Sequence, residues 1–166
     1  MKGQRGQSTL EFAITFSLIT MPLTFAIIFT AQLLWVWHSV VDFTRDGARY
    51  ATTHCWQGSG ENVATYMRSH VPLMIDGDQF SQGVATIAVE YLLRNPDTGQ
   101  LESFTCDGSE CSSDCVPDVV TVRVTGYEFR RVLTYLGIPP VPLPDFRTSL
   151  PMESAGCSPD SADCLQ

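Results

Sequence analysis

The sequence predicts an α+β protein in which a long N-terminal helix precedes a small domain with a three-stranded antiparallel sheet and disulfides. Three observations predict this architecture. No Asp, Glu, Lys or Arg occurs from Phe12 to Val41. Two later segments alternate apolar and polar residues, which is the period of a half-buried strand. All six cysteines follow the uncharged run, and an even number of cysteines outside the cytoplasm is typical of disulfides.

The uncharged run is long enough to cross a membrane as a helix. It has 30 residues, and at about 1.5 Å per residue it extends ~45 Å, against the ~30 Å of a bilayer's hydrocarbon core. Lys2 and Arg5 precede the run and Asp42 follows it. Because positive charge stays on the cytoplasmic side, we expect a single pass with a cytoplasmic N-terminus and an exported C-terminal domain.

An ordinary cleaved secretory signal fits this segment less well. The apolar part of such a signal spans about 7–15 residues and ends at a small-residue cleavage site. The run found here is longer and ends near Trp35 and Trp37, and tryptophans at this depth are typical of a membrane interface. We therefore predict a membrane anchor that is retained.

Helical patterning continues past the uncharged run to about His54. Asp42 and Arg45 are opposite charges three residues apart, a spacing that brings them together on a helix. Pro22 interrupts the helix, because proline lacks the amide hydrogen and clashes with the carbonyl of Leu18. We expect a helix kink at Pro22.

The residues after the helix predict one modest domain. The predicted elements are a second helix over 61–74, strands over 87–91, 100–105 and 119–129, a short helix over 129–136 and an extended Pro-rich segment after it. Met67 and Met74 are expected to be core residues of the second helix.

The six cysteines are Cys55, Cys106, Cys111, Cys115, Cys157 and Cys164. Six cysteines allow 15 pairings, and the sequence does not choose among them, although Cys157 and Cys164 could close a short local loop. The alternative is a zinc site in the central cluster, but only one of its spacings is typical of structural zinc. We predict disulfides, no metal and no cofactor.

Composition and motifs argue against nucleic-acid binding and against catalysis. The chain has 10 Lys+Arg and 18 Asp+Glu residues, a net charge of −8, whereas a nucleic-acid surface is basic. There is no glycine-flanked serine and no phosphate-binding glycine loop. His54 and Cys55 are adjacent, so on a helix their side chains point in different directions. We predict that the protein is not an enzyme.

One carboxylate, that of Glu11, lies where the uncharged run begins. Ser8 and Glu11 have the spacing of a capping box, so Glu11 could simply start the helix. The alternative involves Gly6: a cut after Gly6 would make Gln7 the first residue and free an α-amine with a pKa near 8. Glu11 could then pair with the new amine of a neighbouring chain.

The segment RGQSTLEFAI, residues 5–14, resembles the processing motif of type IV prepilins: Gly6, four residues, then Glu11, Phe12 and an apolar helix. More narrowly, the chain resembles the TadE-like minor pilins, or pseudopilins, of the tight-adherence (Flp) pilus system. DFTRDGARYATTHC (42–55) is similar to their helix after the membrane run, VVTVRVTGYEF (119–129) to their late strand, and RTSLPMESAGC (147–157) to their closing segment.

This resemblance implies a leader over 1–6, a long pilin-type helix over 7–54 with its membrane part at 12–41, and an α+β domain over 55–166 that ends in a Pro-rich tail. It also implies cleavage by a prepilin peptidase in the bacterial inner membrane. The partners implied are the peptidase, the major Flp pilin, other minor pilins and the inner-membrane pilus platform. The domain would be periplasmic and, after processing, part of an extracellular pilus used in adhesion.

Two functions therefore stay open at the level of sequence. The first is a minor pilin that takes part in assembling or initiating the pilus. The second is a single-pass membrane-anchored module that is exported but never cleaved, and that binds a ligand or scaffolds a partner. Cleavage after Gly6 distinguishes them.

Overall fold

The computed structural model of the chain describes residues 4–56, 60–105, 115–130, 133–134 and 137–152, with the backbone alone for residues 4–7. The chain forms two compact units, residues Met1–Val36 and Trp37–Gln166. The leader residues 1–3 and the end of the Pro-rich tail, 153–166, lie outside the described residues.

The first unit is helical throughout its described part. It contains α1 (Gln4–Thr15), a π-helical turn (Phe16–Thr20) and the beginning of α2 (Met21–Thr53). The π turn ends two residues before Pro22, whose nitrogen has no hydrogen to donate, and a wider turn is one way for a helix to accommodate the missing donor. The structure thus has a helical irregularity beside the predicted kink. The bend itself stays a prediction.

The helix begins earlier than the sequence predicts. Its first residue is Gln4 rather than Ser8, and the first turn contains no acidic residue. Ser8 is therefore an interior residue of α1. The capping-box interpretation of Ser8 and Glu11 does not match the uncleaved chain, in which the helix begins before Ser8.

The second unit is an α+β domain built on an antiparallel sheet. Its short helices are α3 (Glu61–Ser69) and α4 (Asp78–Ser81), and its strands are β1 (Thr86–Arg94), β2 (Leu101–Ser103), β3 (Val119–Thr125), β4 (Glu128–Phe129), β5 (Val141–Pro142) and β6 (Phe146–Pro151). Four of them form one sheet in the order β2-β1-β3-β6, and β4 pairs with β5 separately.

The core lies between one face of the sheet and the last part of α2. Val120, Val122 and Val124 of the central strand β3 are fully buried, as expected of alternate residues on one face. On α2, Ala48 is also fully buried, and the hydroxyl of Thr44 lies 3.0 Å from that of Thr148 in β6. This part of the long helix therefore belongs to the domain, in which Gly47 of α2 also lies close to Met67 of α3.

The predicted three-stranded sheet is wrong in number, because the sheet has four strands. The additional strand, β6, falls in the segment that follows the Pro-rich stretch. Two prolines near its ends favour irregular chain in a sequence-based prediction. Proline is nevertheless acceptable at the edge of a sheet, and β6 is an edge strand.

The second helix is shorter than predicted, ending at Ser69 instead of residue 74. Pro72 explains the end, since the residue before a proline is driven out of helical conformation. Met67 is buried as predicted, whereas Met74 is 43% exposed.

Two predictions near residue 129 also need correction. The predicted strand over 119–129 is divided at Gly126, whose φ of 72° belongs to a left-handed turn. Phe129 is the last residue of β4 and pairs with Val141, so it does not begin a helix. Of 130–136 the structure describes residues 130, 133, and 134, where the amide of Thr134 donates to the carbonyl of Arg130 at 3.0 Å, so the rest of the predicted helix stays a prediction.

Two of the six cysteines, Cys55 and Cys115, lie in the described residues. Neither is a free thiol, and both are disulfide-bonded. Cys106, Cys111, Cys157 and Cys164 lie outside the described residues, so the pairing of the six stays a prediction.

Candidate processing and assembly site

The predicted cut between Gly6 and Gln7 lies inside the helical backbone of α1. A peptidase that accepts an extended chain would have to unwind this first part of the helix. Glycine makes unwinding easier, because it is about 1 kcal/mol less favourable than alanine in a helix interior. The cut site is therefore compatible with processing through local opening at the helix end.

Glu11 and Phe12 lie on α1 after the cut site, and both are exposed. Gln7 and Glu11 are four residues apart, so they share one face of the helix. The ring of Phe12, 70% exposed, stacks against that of Phe16 at 6.0 Å between centroids. The structure thus places the carboxylate one turn from the predicted new terminus.

The helix surface suits a membrane. In the described residues, one helical stretch, Ser8–Thr53, is long and apolar enough to cross a bilayer. Its hydroxyls are satisfied internally where the structure gives their bonds: Thr24 Oγ1 donates to the carbonyl of Thr20 and Thr30 Oγ1 to that of Ala26, each at 2.8 Å. Polar groups bonded in this way can face lipid at little cost.

The two tryptophans of the predicted interface differ in their surroundings. Trp35 is 63% exposed, as expected of a residue that contacts lipid headgroups. Trp37 instead packs edge-on against Phe146 of β6, with 5.1 Å between ring centroids. Trp37 therefore helps to hold α2 on the sheet.

His54 and His70 have structural surroundings. The rings of His54, Tyr50, Tyr66 and His70 form one continuous stack, whose central pair lies 3.9 Å apart. Each imidazole Nδ1 lies 3.0 Å from the carbonyl oxygen of the tyrosine four residues before it. This stack joins α2 to α3. Sequence analysis missed it, although the same Tyr-x3-His spacing occurs twice.

No cluster of three or more His, Cys, Asp or Glu residues that could hold a metal ion occurs in the part of the chain that the structure describes. The predicted cysteine cluster contributes only Cys115 to that part, so the zinc alternative is not tested for its other members.

These features define a protein with one apolar N-terminal helix that fits a single-pass membrane anchor, followed by a small α+β domain. Residues 6–49 match the family model of TadE-like proteins. The match confirms the resemblance to TadE-like proteins from the predicted cut site to the part of α2 that packs on the sheet. The rest of the domain lies outside the match. A comparison with curated proteins found no match, and neither did a comparison with solved structures.

Proposed function

We propose that this protein is a minor pilin, or pseudopilin, that takes part in assembling or initiating a tight-adherence pilus after a prepilin peptidase removes residues 1–6. The observation that carries the proposal is the TadE-like match, which begins at Gly6 and contains Glu11. The exposed apolar surface of the same helix supports it, because such a surface can move from lipid to the helices of other pilins.

Processing would act as a switch in this mechanism. Before the cut, Lys2 and Arg5 hold the N-terminus at the cytoplasmic surface. The cut removes both charges and creates an α-amine at Gln7. The same step therefore releases the helix and prepares it to bind a neighbour.

Glu11 would recognise that neighbour. An ionised side chain at the bilayer centre costs about 3 kcal/mol on insertion scales. A carboxylate drawn deeper during assembly therefore needs a cationic partner, and the new amine of an axially staggered chain provides one. The partners proposed are the major Flp pilin and other minor pilins, on the inner-membrane platform.

The mass of the N-terminus tests the processing step. In cells that contain the pilus system, we expect the chain to begin at Gln7, and Gly6→Val to leave it at Met1. Gly3→Val is the matched control, since it adds the same side chain within the leader but away from the cut, and it should be processed normally. An intact Met1 in the wild-type protein beside an active peptidase would contradict the proposal.

One observation favours the second candidate function, an uncleaved membrane-anchored binding module. The backbone of α1 is helical through Gly6, and a helix is a poor substrate for a peptidase that needs an extended chain. If the wild-type N-terminus stays intact, this candidate replaces the first.

A further inference from the structure

The turn between α3 and α4 has an apolar tip. The amide of Ile75 donates a hydrogen bond of 2.9 Å to the carbonyl of Pro72, so Leu73 and Met74 occupy the two central positions of a tight turn. Such positions usually carry Gly, Asn, Asp or Ser. Leu73 is instead 88% exposed, the highest value for a large apolar side chain in the part of the chain that the structure describes, and Met74 is 43% exposed.

This turn is bonded to the domain directly after its tip. Ile75 is buried, with 4% of its surface exposed. The amide of Asp76 donates a hydrogen bond of 2.8 Å to the hydroxyl of Tyr127. Because Ile75 occupies the core side of the turn, Leu73 and Met74 project outward from a well-bonded support.

The turn lies toward the end of the domain at which the chain enters from the uncharged run. α3 begins beside the end of α2, since the side-chain amide of Asn62 donates to the carbonyl of Cys55 at 2.7 Å. Farther along α3, the side chain of Met67 lies against Gly47. The contacts of α3 thus move back along α2, and the turn continues in that direction.

The elements that follow the turn indicate the same position. The ring of Phe80 in α4 packs against that of Phe43 in α2 at 5.6 Å and against that of Tyr127 at 6.0 Å between centroids. Tyr127 comes just after β3, and this end of β3 pairs with the beginning of β6, where Phe146 packs against Trp37. The turn therefore belongs to the end of the domain that Trp37 marks.

Trp37 is expected at the outer surface of the bilayer. It is 25 residues after Phe12, where the uncharged run begins. As helix this length is ~37 Å, against ~30 Å for the hydrocarbon core and ~40–45 Å with both headgroup layers. An anchor that enters the hydrocarbon at Phe12 thus reaches the outer headgroups near Trp37, a level at which tryptophan is enriched.

We propose that Leu73 and Met74 insert into the outer headgroup layer of the bilayer that holds the anchor, so that the domain contacts the membrane at this turn as well as at the helix. Apolar side chains gain free energy when they leave water for the boundary between headgroups and acyl chains. The anchor keeps the domain beside the lipid, so the second contact is intramolecular in effect and needs only a weak intrinsic affinity. For this reason lipid is the expected occupant instead of a second protein.

Charge is not what attracts the turn to the membrane. From Val71 to Gly83 the chain has two acidic residues, Asp76 and Asp78, and no Lys or Arg, whereas segments that bind anionic lipid are basic. We therefore expect insertion into uncharged phosphatidylcholine. It should not change between about 0.15 M and about 1 M salt, although this range shortens the Debye length from ~8 to ~3 Å.

The methionines are native probes for a test by nuclear magnetic resonance. The full-length protein, isotope-labelled at the methionine methyl groups, is placed in phosphatidylcholine nanodiscs, and Met74→Leu identifies the signal of Met74. A lipid with a nitroxide just below the headgroup should broaden this signal, whereas a water-soluble gadolinium chelate should not. Met152 is the internal control, because its amide bonds to Asp118 at the opposite end of β3, about 20 Å away along the strand.

A pair of matched variants tests the contribution of the turn tip. Leu73→Asp should abolish the broadening of Met74 by the lipid nitroxide, because a carboxylate opposes entry into the interface. Leu101→Asp makes the same change at another exposed leucine, at the far end of the sheet, and should leave the broadening of Met74 unchanged. Both leucines are exposed, so neither change disturbs the core.

Four results would overturn the proposal. Broadening of Met74 by the gadolinium chelate and not by the lipid nitroxide would place the turn in water. Similar broadening of Met74 and Met152 by the nitroxide would show that this end of the domain does not face the bilayer. Protection of Met74 from both agents would show that another part of the protein covers the turn, and unchanged broadening in Leu73→Asp would show that Leu73 does not insert. The experiment uses the uncleaved protein without other pilus components, so its result does not depend on the proposed processing or assembly.

Discussion

Glu11 is the residue whose substitution separates the proposed assembly contact from a simple role in the helix. We predict that Glu11→Gln leaves membrane insertion and removal of the leader intact but lowers piliation as strongly as Glu11→Ala. Insertion depends on the apolar run and cleavage on Gly6, so neither needs the charge. Pilus counts and co-purification of partner pilins give the result.

Glu61→Gln is the matched control, because it removes one exposed carboxylate from α3 and should not change piliation. Normal piliation by Glu11→Gln would show that the charge pair is not needed. If Glu11 only stabilised the end of the helix, its substitution would cost only about 1 kcal/mol, which an anchor of this length tolerates.

Tyr91 and Tyr127 allow a second comparison between single residues. The Tyr91 hydroxyl is buried without a partner in the described residues, whereas that of Tyr127 accepts a hydrogen bond of 2.8 Å from the amide of Asp76. We predict that Tyr91→Phe is neutral or stabilising, while Tyr127→Phe costs about 1–2 kcal/mol because it leaves a buried amide unbonded. Chemical unfolding of both variants measures the difference, and equal losses would contradict it.

Alkaline pH should enlarge the stability advantage of Tyr91→Phe over the wild-type protein. Burial raises the pKa of the Tyr91 phenol well above its ordinary range. The unfolded chain releases this proton at lower pH than the folded one, so the phenol lowers the stability of the fold as pH rises above about 10. The advantage of Tyr91→Phe over wild type should therefore grow from pH 8 to pH 11. An advantage that stays constant would show that Tyr91 ionises normally.

Among the elements, the turn between β3 and β4 depends on a glycine more than the turn between β1 and β2 does. Gly126 and Gly99 both have positive φ values, 72° and 69°. A Cβ on Gly126 would lie 2.6 Å from the backbone carbonyl oxygen of Val84, whereas a Cβ on Gly99 would meet nothing within 4 Å. We predict that Gly126→Ala costs roughly 2–4 kcal/mol and Gly99→Ala about 1 kcal/mol. Thermal unfolding compares them, and similar losses would contradict the prediction.

The elements that sequence predicts best are those with a long, regular pattern. The helix is recognisable over most of its length because it has 30 uncharged residues followed by paired charges, and β3 because Val120, Val122 and Val124 alternate with polar residues. β6 lacks such a signal, since on its core-facing side Phe146 is followed by Thr148. The predicted helix start at Phe129 is wrong because that residue pairs with Val141, a contact between segments that local periodicity does not report.

The functional segment and the long-range contacts also differ in how far the sequence predicts them. The processing segment is continuous in sequence, so Gly6, Glu11 and Phe12 could be selected from spacing alone. The stack of Tyr50, His54, Tyr66 and His70, by contrast, comes together only when α3 packs against α2. Sequence analysis did not find this stack, because the spacing within one helix does not report a contact with another helix.

For the molecule as a whole, disulfides should contribute a large part of the stability. Cys55, at the end of the long helix, and Cys115, before β3, are both disulfide-bonded. We predict that native protein has no thiol reactive to alkylation, and that reduction lowers its melting temperature, since one bridge typically adds about 2–4 kcal/mol. Alkylation followed by mass measurement, with and without reductant, gives the number of thiols. Six reactive thiols in unreduced native protein would contradict the prediction.

The central position of β3 has a consequence for how the protein is made. One edge of β3 pairs with β1, which precedes it in the chain, but the other pairs with β6, which begins at Phe146. Synthesis at about 5–20 residues per second separates Thr125 from Phe146 by roughly 1 to 4 s. During that interval β3 has one uncovered edge, so the newly synthesised chain is especially vulnerable to aggregation just before β6 emerges.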